Sequence, residues 1–317
     1  MPDLSTLGVG SAGVWTRAAA LQVLPPGRIR AHLRNGTWQT VHRGIYTDGG
    51  VVLAPEQRAF AAVLAAGGAG QSLDAWRAVA STRTAARVWQ LPLIDDDDPA
   101  TGGQEQHLDE VAVRRPRGRA GSLTGHVLAL GPDEVVRRGS GLLITSVQRT
   151  LLDCAGVLTH EALVCAIDDA LHRGLVTGQQ LTEAGSRHRW RIGAPALRRA
   201  VALADGRSES PLETLTRLLL LPVLPDLEPQ AELFDHSGRL VARLDLGDRR
   251  VRLAVEADGG HGHRGSVMVA KDRRRDRRTE ALGWQTERVT WWDVRRDGAA
   301  TRTRICTRHA QLAARAA

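Results

Sequence analysis

Two short segments near the C-terminal third, residues 240–246 and 251–257, constrain this chain more than any other stretch. In the second, Val251, Leu253 and Val255 alternate with Arg252, Ala254, Glu256 and Asp258, the period of a half-buried strand. Side chains alternate across a strand, so Glu256 and Asp258 leave one face, separated by Ala257 on the other. Gly247-Asp248 reads as the turn joining the segments, which makes Asp245 a cross-strand neighbour of Glu256. Carboxylates that converge at strand ends repel one another unless a divalent cation neutralises them. Hard oxygen donors of this kind suit Mg²⁺ or Mn²⁺.

The rest of the chain must be read around that pair. At 317 residues, 42% of them hydrophobic, there is material for two or three domains, each with its own core. No apolar run approaches the length of a membrane span, and the N-terminus lacks the layout of an export signal. Cys154, Cys165 and Cys306 are scattered without a CxxC, as expected of free thiols in the cytoplasm, and they argue against zinc. A net charge of +8 points to a polyanionic partner. Lys271 is the only lysine, and an arginine bias of that kind also follows from a GC-rich genome. Where the arginines sit therefore matters more than how many there are.

From the N-terminus, residues 11–24 read as a helix, broken by Pro25-Pro26. A second helix over 27–33 places Ile29 and Leu33 on one face. Arg28, Arg30 and Arg34 fall off that face. Asn35-Gly36 closes the helix, and 38–47 forms a two-stranded wing around Arg43-Gly44. This is the order of a winged helix-turn-helix, whose second helix enters the DNA major groove. Residues 55–91 are mostly helical, and Asp95–Asp98 reads as an acidic loop rather than a metal site. Strands are expected near 111–114 and 122–130, then a helix on which Arg149 and Asp153 form an i,i+4 ion pair. Helices near 161–173, 178–186 and 194–204 bridge to the last part. There Ser210-Pro211-Leu212-Glu213 has capping-box spacing, so Glu213 either bonds the helix start or faces a metal. Gln230 opens the sheet. A helix over 267–282 lines up Lys271, Arg275 and Arg278, either as a salt-bridged surface or as a grip on phosphate. Trp291-Trp292 reads as a hydrophobic seal before a terminal helix over 295–316. The expected segmentation is 1–50, 51–155, 156–206 and 207–317, in a multi-domain α/β protein.

Two resemblances add to this reading. The run RLDLG…VEADG…KDRRRDRRTEALGW, within residues 205–300, is similar to a domain-of-unknown-function family related to the very-short-patch-repair endonucleases. Those belong to the PD-(D/E)xK restriction-endonuclease-like superfamily. The resemblance implies a C-terminal α/β domain with a central mixed sheet, in which Asp245 and Glu256 hold Mg²⁺ (or Mn²⁺). Glu213 would add a carboxylate from a preceding helix. Asp258 stands where the superfamily has lysine and is taken as a third metal-side carboxylate. His261 and His263 flank the place of the family's histidine, which positions water or protonates the leaving oxygen. Lys271 is the candidate replacement for the missing lysine. Separately, LRNGTWQTVHRGIYT resembles the N-terminal domain of AbiEi-type antitoxins of type IV toxin–antitoxin systems. That implies an operator as DNA partner and a cognate toxin as protein partner. Two functions follow: a metal-dependent DNA endonuclease guided by its winged module, or an antitoxin-like repressor without catalysis. In either, Arg28, Arg30, Arg34, Arg43, Arg275 and Arg278 are the nucleic-acid contacts, and no membrane partner is expected.

Overall fold

A computed structural model describes residues 13–95, 109–113, 123–259 and 276–316. Helices and three separate sheets make this a multi-domain α/β protein. The chain divides into two compact units, residues 1–163 with 176–199, and residues 164–175 with 200–317.

Unit 1 begins with β1 (Trp15–Thr16), α1 (Arg17–Val23), α2 (Pro26–Arg34), β2 (Trp38–His42) and β3 (Ile45–Asp48). The first helix starts later than its apolar run suggests, because Trp15 and Thr16 pair antiparallel with Tyr46 and Ile45. Thr16 then caps it, accepting the Ala19 N–H at 3.0 Å. Proline at the start of α2 is tolerated because the first N–H groups of a helix lack intrahelical partners. Strands β2 and β3 form the expected wing and, with β1, a three-stranded sheet in the order β1-β3-β2. Its small core is aromatic: Trp38 packs edge-on to Trp15 at 5.0 Å and stacks on His32 at 4.8 Å, with Ile29 and Tyr46 beside them.

The chain continues through α3 (Pro55–Ala65), β4 (Ala78–Ala80), α4 (Thr82–Val88), β5 (Asp109–Val113), β6 (Leu123–Val127), β7 (Val135–Arg137), β8 (Leu143–Thr145) and α5 (Val147–Cys154). These strands form a mixed sheet in the order β6-β5-β4-β8-β7. Phe60, Val63, Leu64 and Val88 from the helices pack on Val111, Val113 and Ile144, and Val14 and Ile45 join the same core. The N-terminal module and this sheet thus share one hydrophobic interior. The expected Arg149–Asp153 pair is present at 3.0 Å and wholly buried, and Arg149 also reaches Glu134 at 2.8 Å. It is structural. Asp95 bonds the backbone N–H and hydroxyl of Thr159, while the remainder of the acidic run lies outside the described residues. Then come α6 (His160–His172), most of which falls in unit 2, α7 (Gly178–Arg187) and α8 (Ala194–Leu203), near the three helix positions expected.

Unit 2 holds α9 (Pro211–Leu220), β9 (Glu228–Phe234), β10 (Leu240–Asp248), β11 (Leu253–Ala257), β12 (Gln285–Val289), α10 (Trp291–Arg295) and α11 (Gly298–Ala316). Its sheet order is β12-β11-β10-β9, antiparallel except for the parallel β11–β12 pair. One core gathers Leu220, Leu246, Val255, Val289 and Ile305, and a second gathers Ala231, Leu244, Ala254 and Trp284. Each fully buried leucine or valine contributes about 1.5–3 kcal/mol by leaving water.

The structure corrects three expectations. Gly247 and Asp248 are not a turn: both are buried strand residues, paired with Ala254 and Leu253. The chain reverses over residues 249–252 instead, where Arg252 takes φ 54°. Trp291 and Trp292 are not a seal, since they open α10 at 37% and 69% exposure. The terminal helix expected over 295–316 starts at Gly298 instead, after the short α10 and a break at Arg296 and Asp297. Among the described residues, no helix is long and apolar enough to cross a membrane, and all three cysteines are free thiols.

Candidate functional site

Strand register assembles the site in unit 2. The pairs Leu244↔Ala231 and Leu246↔Pro229 bracket Asp245 opposite Gln230 on β9. One step beyond Leu246↔Val255, the same residue lies opposite Glu256 on β11. Glu256 in turn pairs with Arg288 on β12. A single row therefore crosses all four strands: Gln230, Asp245, Glu256, Arg288. The cross-strand relation of Asp245 to Glu256 survives although the turn expected between their strands does not. Register is set by the apolar pattern of both strands, and the connection only has to permit it.

Asp245 is half-buried at mid-sheet, and its Oδ2 accepts the backbone N–H of Ala257 at 2.8 Å. That bond turns its carboxylate toward the end of β11. Glu256 is buried at 7% exposure. A buried carboxylate beside another is costly unless positive charge compensates it. Asp258 takes a different course. Its backbone N–H extends the pairing to Val289 at 2.8 Å, and its carboxylate lies 3.8 Å from Arg288. The same guanidinium reaches Asp276 at 2.5 Å, so Arg288 joins two acids.

Glu213 sits in the first turn of α9. Its Oε1 accepts the Ser210 hydroxyl at 2.8 Å and its Oε2 the Glu209 N–H at 2.9 Å, so it caps the helix start one residue earlier than the Ser210 N–H of a capping box. It also looks toward the sheet, because Gln230 Nε2 donates to Oε2 at 2.7 Å. Gln230 has φ 55°, a left-handed conformation that costs a non-glycine residue about 1–3 kcal/mol. Strain at a residue that links the helix carboxylate to the Asp245 row marks the place as built. Glu213 thus caps its helix and borders the acidic row through Gln230.

The donor set can be tested against a metal. Among the described residues, no three His, Cys, Asp or Glu side chains gather as a metal-holding cluster. The expected trio of Asp245, Glu256 and Asp258 is not such a cluster, and the Asp258 carboxylate lies 3.8 Å from Arg288. Asp245 and Glu256 remain as neighbouring hard carboxylates. Mg²⁺ is commonly held by one or two carboxylates and completes its shell with water and phosphate oxygens. The pair fits such an ion and does not form an all-protein cage. His261, His263, Lys271 and Arg275 lie outside the described residues. Residues 276–281 are helical, as expected there, and Arg278 is exposed on that helix. Arg288 was missed by sequence reasoning. Its signal was the alternation of 284–289, but only the parallel register shows which acid it faces.

In unit 1, the candidate nucleic-acid contacts hold their places. Ile29 is buried on the inner side of α2, and Arg28, Arg30 and Arg34 are exposed on its outer side. Arg43 is exposed in the turn of the wing beside Gly44, whose φ is 77°. None of the four makes an ion pair among the described residues. They form a set of unneutralised charges on one helix and one wing tip.

No protein-family model matches the chain. It is similar to two proteins of Mycobacterium tuberculosis that carry the names Uncharacterized protein MT2308 and Uncharacterized protein Rv2248. Each is 30% identical over 171 residues, which cover 54% of this chain and 63% of the relative. Neither name states an activity, and the match spans less than two thirds of the relatives' own length.

Proposed function

We propose that this chain binds DNA through its N-terminal winged module and cleaves phosphodiesters at the Asp245–Glu256 site of unit 2. The observation that carries the reading is the row Gln230–Asp245–Glu256 across adjacent strands, with Glu213 attached to it from the preceding helix. A Mg²⁺ or Mn²⁺ ion at Asp245 and Glu256 would supply an activated water and polarise the phosphate. The chain's own residues prepare for this. Ala257 N–H fixes the Asp245 carboxylate, Gln230 holds Glu213 against the sheet, and Arg288 lies 3.8 Å from the Asp258 carboxylate. His261, His263 and Lys271 are the remaining candidates for proton transfer and charge stabilisation. Arg275 and Arg278 are the candidate grip on the phosphate backbone near this site, and Arg28, Arg30, Arg34 and Arg43 bring the duplex to unit 1.

A second reading, an antitoxin-like repressor without catalysis and with a toxin protein as partner, is favoured by one observation. Both Glu213 oxygens are already engaged by the helix cap and Gln230. Incubation of supercoiled plasmid with the protein and Mg²⁺ or Mn²⁺ separates the two. The endonuclease reading expects nicking that disappears in Asp245→Ala and in Glu256→Ala, and that chelation abolishes. Tight duplex binding with no nicking under either metal would leave the repressor.

A further inference from the structure

Unit 1 contains a cleft that the DNA-cleavage reading does not use. It is a cavity of about 360 Å³ between the sheet and the loop that follows α7. Leu128, Leu152 and Val157 give it an apolar floor, and Trp190 and Ile192 form its lip. Those two are among the most exposed large apolar side chains of the described residues, at 87% and 92%. An exposed tryptophan and isoleucine side by side mark an interaction site rather than ordinary surface.

The loop that presents them is held in place. Arg191 between them is bonded to buried Asp153 at 3.1 Å, and its backbone N–H reaches His188 O at 2.8 Å. Gly193 allows the loop backbone to lie directly on α5: a Cβ there would come within 2.5 Å of the Leu152 carbonyl oxygen. Trp190 and Ile192 therefore project from a pinned segment. In the cavity wall, Thr82 takes φ 50° although it is β-branched, a strained conformation of the kind that collects at binding sites. His126 also lines the wall. Its Nε2 is buried, 4.0 Å from Glu110, and has no hydrogen-bond partner among the described residues.

Charge selects among flat ligands. Of the arginines in residues 187–199, Arg187 pairs with Asp133, Arg191 with Asp153, and Arg198 donates to Gly185 O, while Arg189 and Arg199 make no ion pair among the described residues. The Arg189 guanidinium lies over the Trp190 ring, 5.1 Å from its centroid, leaving the other face of the indole to solvent. A π-face, an apolar slot and the Arg189 guanidinium at its lip are together complementary to a nucleotide. The base would stack on Trp190, and its phosphate would meet Arg189. We infer that the cleft beside Trp190 binds a single unpaired nucleotide, either within a nucleic-acid strand or free in solution. A base in an intact duplex is already stacked on both faces and cannot reach the indole.

The test measures fluorescence anisotropy of labelled oligothymidine, as single strand and as blunt duplex, on the full chain in EDTA. Chelation keeps the Asp245–Glu256 site out of the reading, so this inference stands or falls independently of phosphodiester cleavage. Trp190→Ala is expected to weaken single-strand binding about tenfold or more, the loss of one stacked base. Trp190→Phe should restore most of it, and duplex binding should not change in either. His126→Ala, away from the lip, should weaken the single strand by a smaller factor. Competition by thymidine monophosphate would identify a free nucleotide as the ligand, and its failure would identify a strand. Unchanged single-strand affinity in Trp190→Ala, or equal losses on strand and duplex, would overturn the inference. So would absence of single-strand and mononucleotide binding by the native chain, which would leave the lip to a protein partner.

Discussion

Single residues in unit 2 show how acids inside this chain are kept charged. Asp248 is buried on the last position of β10, and its Oδ2 lies 3.0 Å from His309 Nε2 on α11. Burial presses its carboxyl upward. The hydrogen bond from the His309 ring, the Arg250 N–H and the Arg250 charge outweigh that, and the net shift is below the ordinary value of 3.8. A depressed carboxylate contributes stability above its unfolded value and loses it as pH falls through its folded value. Asp248→Asn should therefore unfold less steeply with acid than the native chain below about pH 4, as read by circular dichroism along an acid titration. An identical acid slope in the two proteins would remove the linkage. Asp245 belongs to the same strand, yet it is oriented by the Ala257 N–H and lies opposite a second carboxylate. Acids three residues apart on one strand thus meet different environments, one set by a histidine and an arginine, the other by a backbone donor and a neighbouring acid.

At the scale of elements, the wing and the site sheet both depend on close backbone approach. Gly49 follows β3, and its N–H donates to Thr37 O at 2.7 Å. A Cβ there would fall 1.7 Å from the Gly36 carbonyl oxygen, which no rotamer relieves because the obstacle is backbone. Gly49→Ala is expected to cost about 1–3 kcal/mol or more through forced backbone shifts. It should also loosen duplex binding through the wing. Denaturant unfolding and a duplex binding isotherm on the same variant check both, and native-like stability would contradict so close an approach of Gly49 to Gly36. Gly247 has a related role in β10, where a Cβ would crowd Ala231 at 2.9 Å, just beyond the Asp245–Gln230 step. Elements that carry candidate chemistry are thus placed by residues that contribute no chemistry at all.

For the whole molecule the governing quantity is charge. If the proposed duplex binding holds, a net +8 with exposed arginines on α2 and on the wing makes counterion release the dominant contribution to affinity. The logarithm of duplex affinity should fall linearly with the logarithm of salt, by about 0.9 for each phosphate neutralised. Replacing Arg28, Arg30, Arg34 and Arg43 together by alanine should flatten that slope by up to about 3–4, measured by titrations at several salt concentrations. A slope that the quadruple variant leaves intact would move the DNA contact away from the winged module.

Much of this architecture was legible in the chain itself. The Pro25-Pro26 break, the Asn35-Gly36 stop and the Arg43-Gly44 turn fixed the helix–helix–wing order, because each is a local conformational demand that few residues meet. Ser210 and Glu213 announced their cap for the same reason. The alternation of 251–257 marked the strand that carries Glu256, and Asp245 lies on the adjoining strand although the turn expected between them does not form. Local pattern was silent on anything set by partners distant in sequence. It took Gly247-Asp248 for a turn because the composition suits one, whereas Leu253 and Ala254 recruit both residues into a strand. It took Trp291-Trp292 for core, since apolarity alone does not say which surface will cover a ring. The Asp258–Arg288 approach, the Gln230 bond to Glu213 and the Trp190 cleft come from register and from loops packed on remote helices. Sequence alone determined which elements form and where they stop, because those choices are made within a few residues. Tertiary structure alone decided which side chains meet, because burial and charge pairing are settled between segments that the chain keeps far apart.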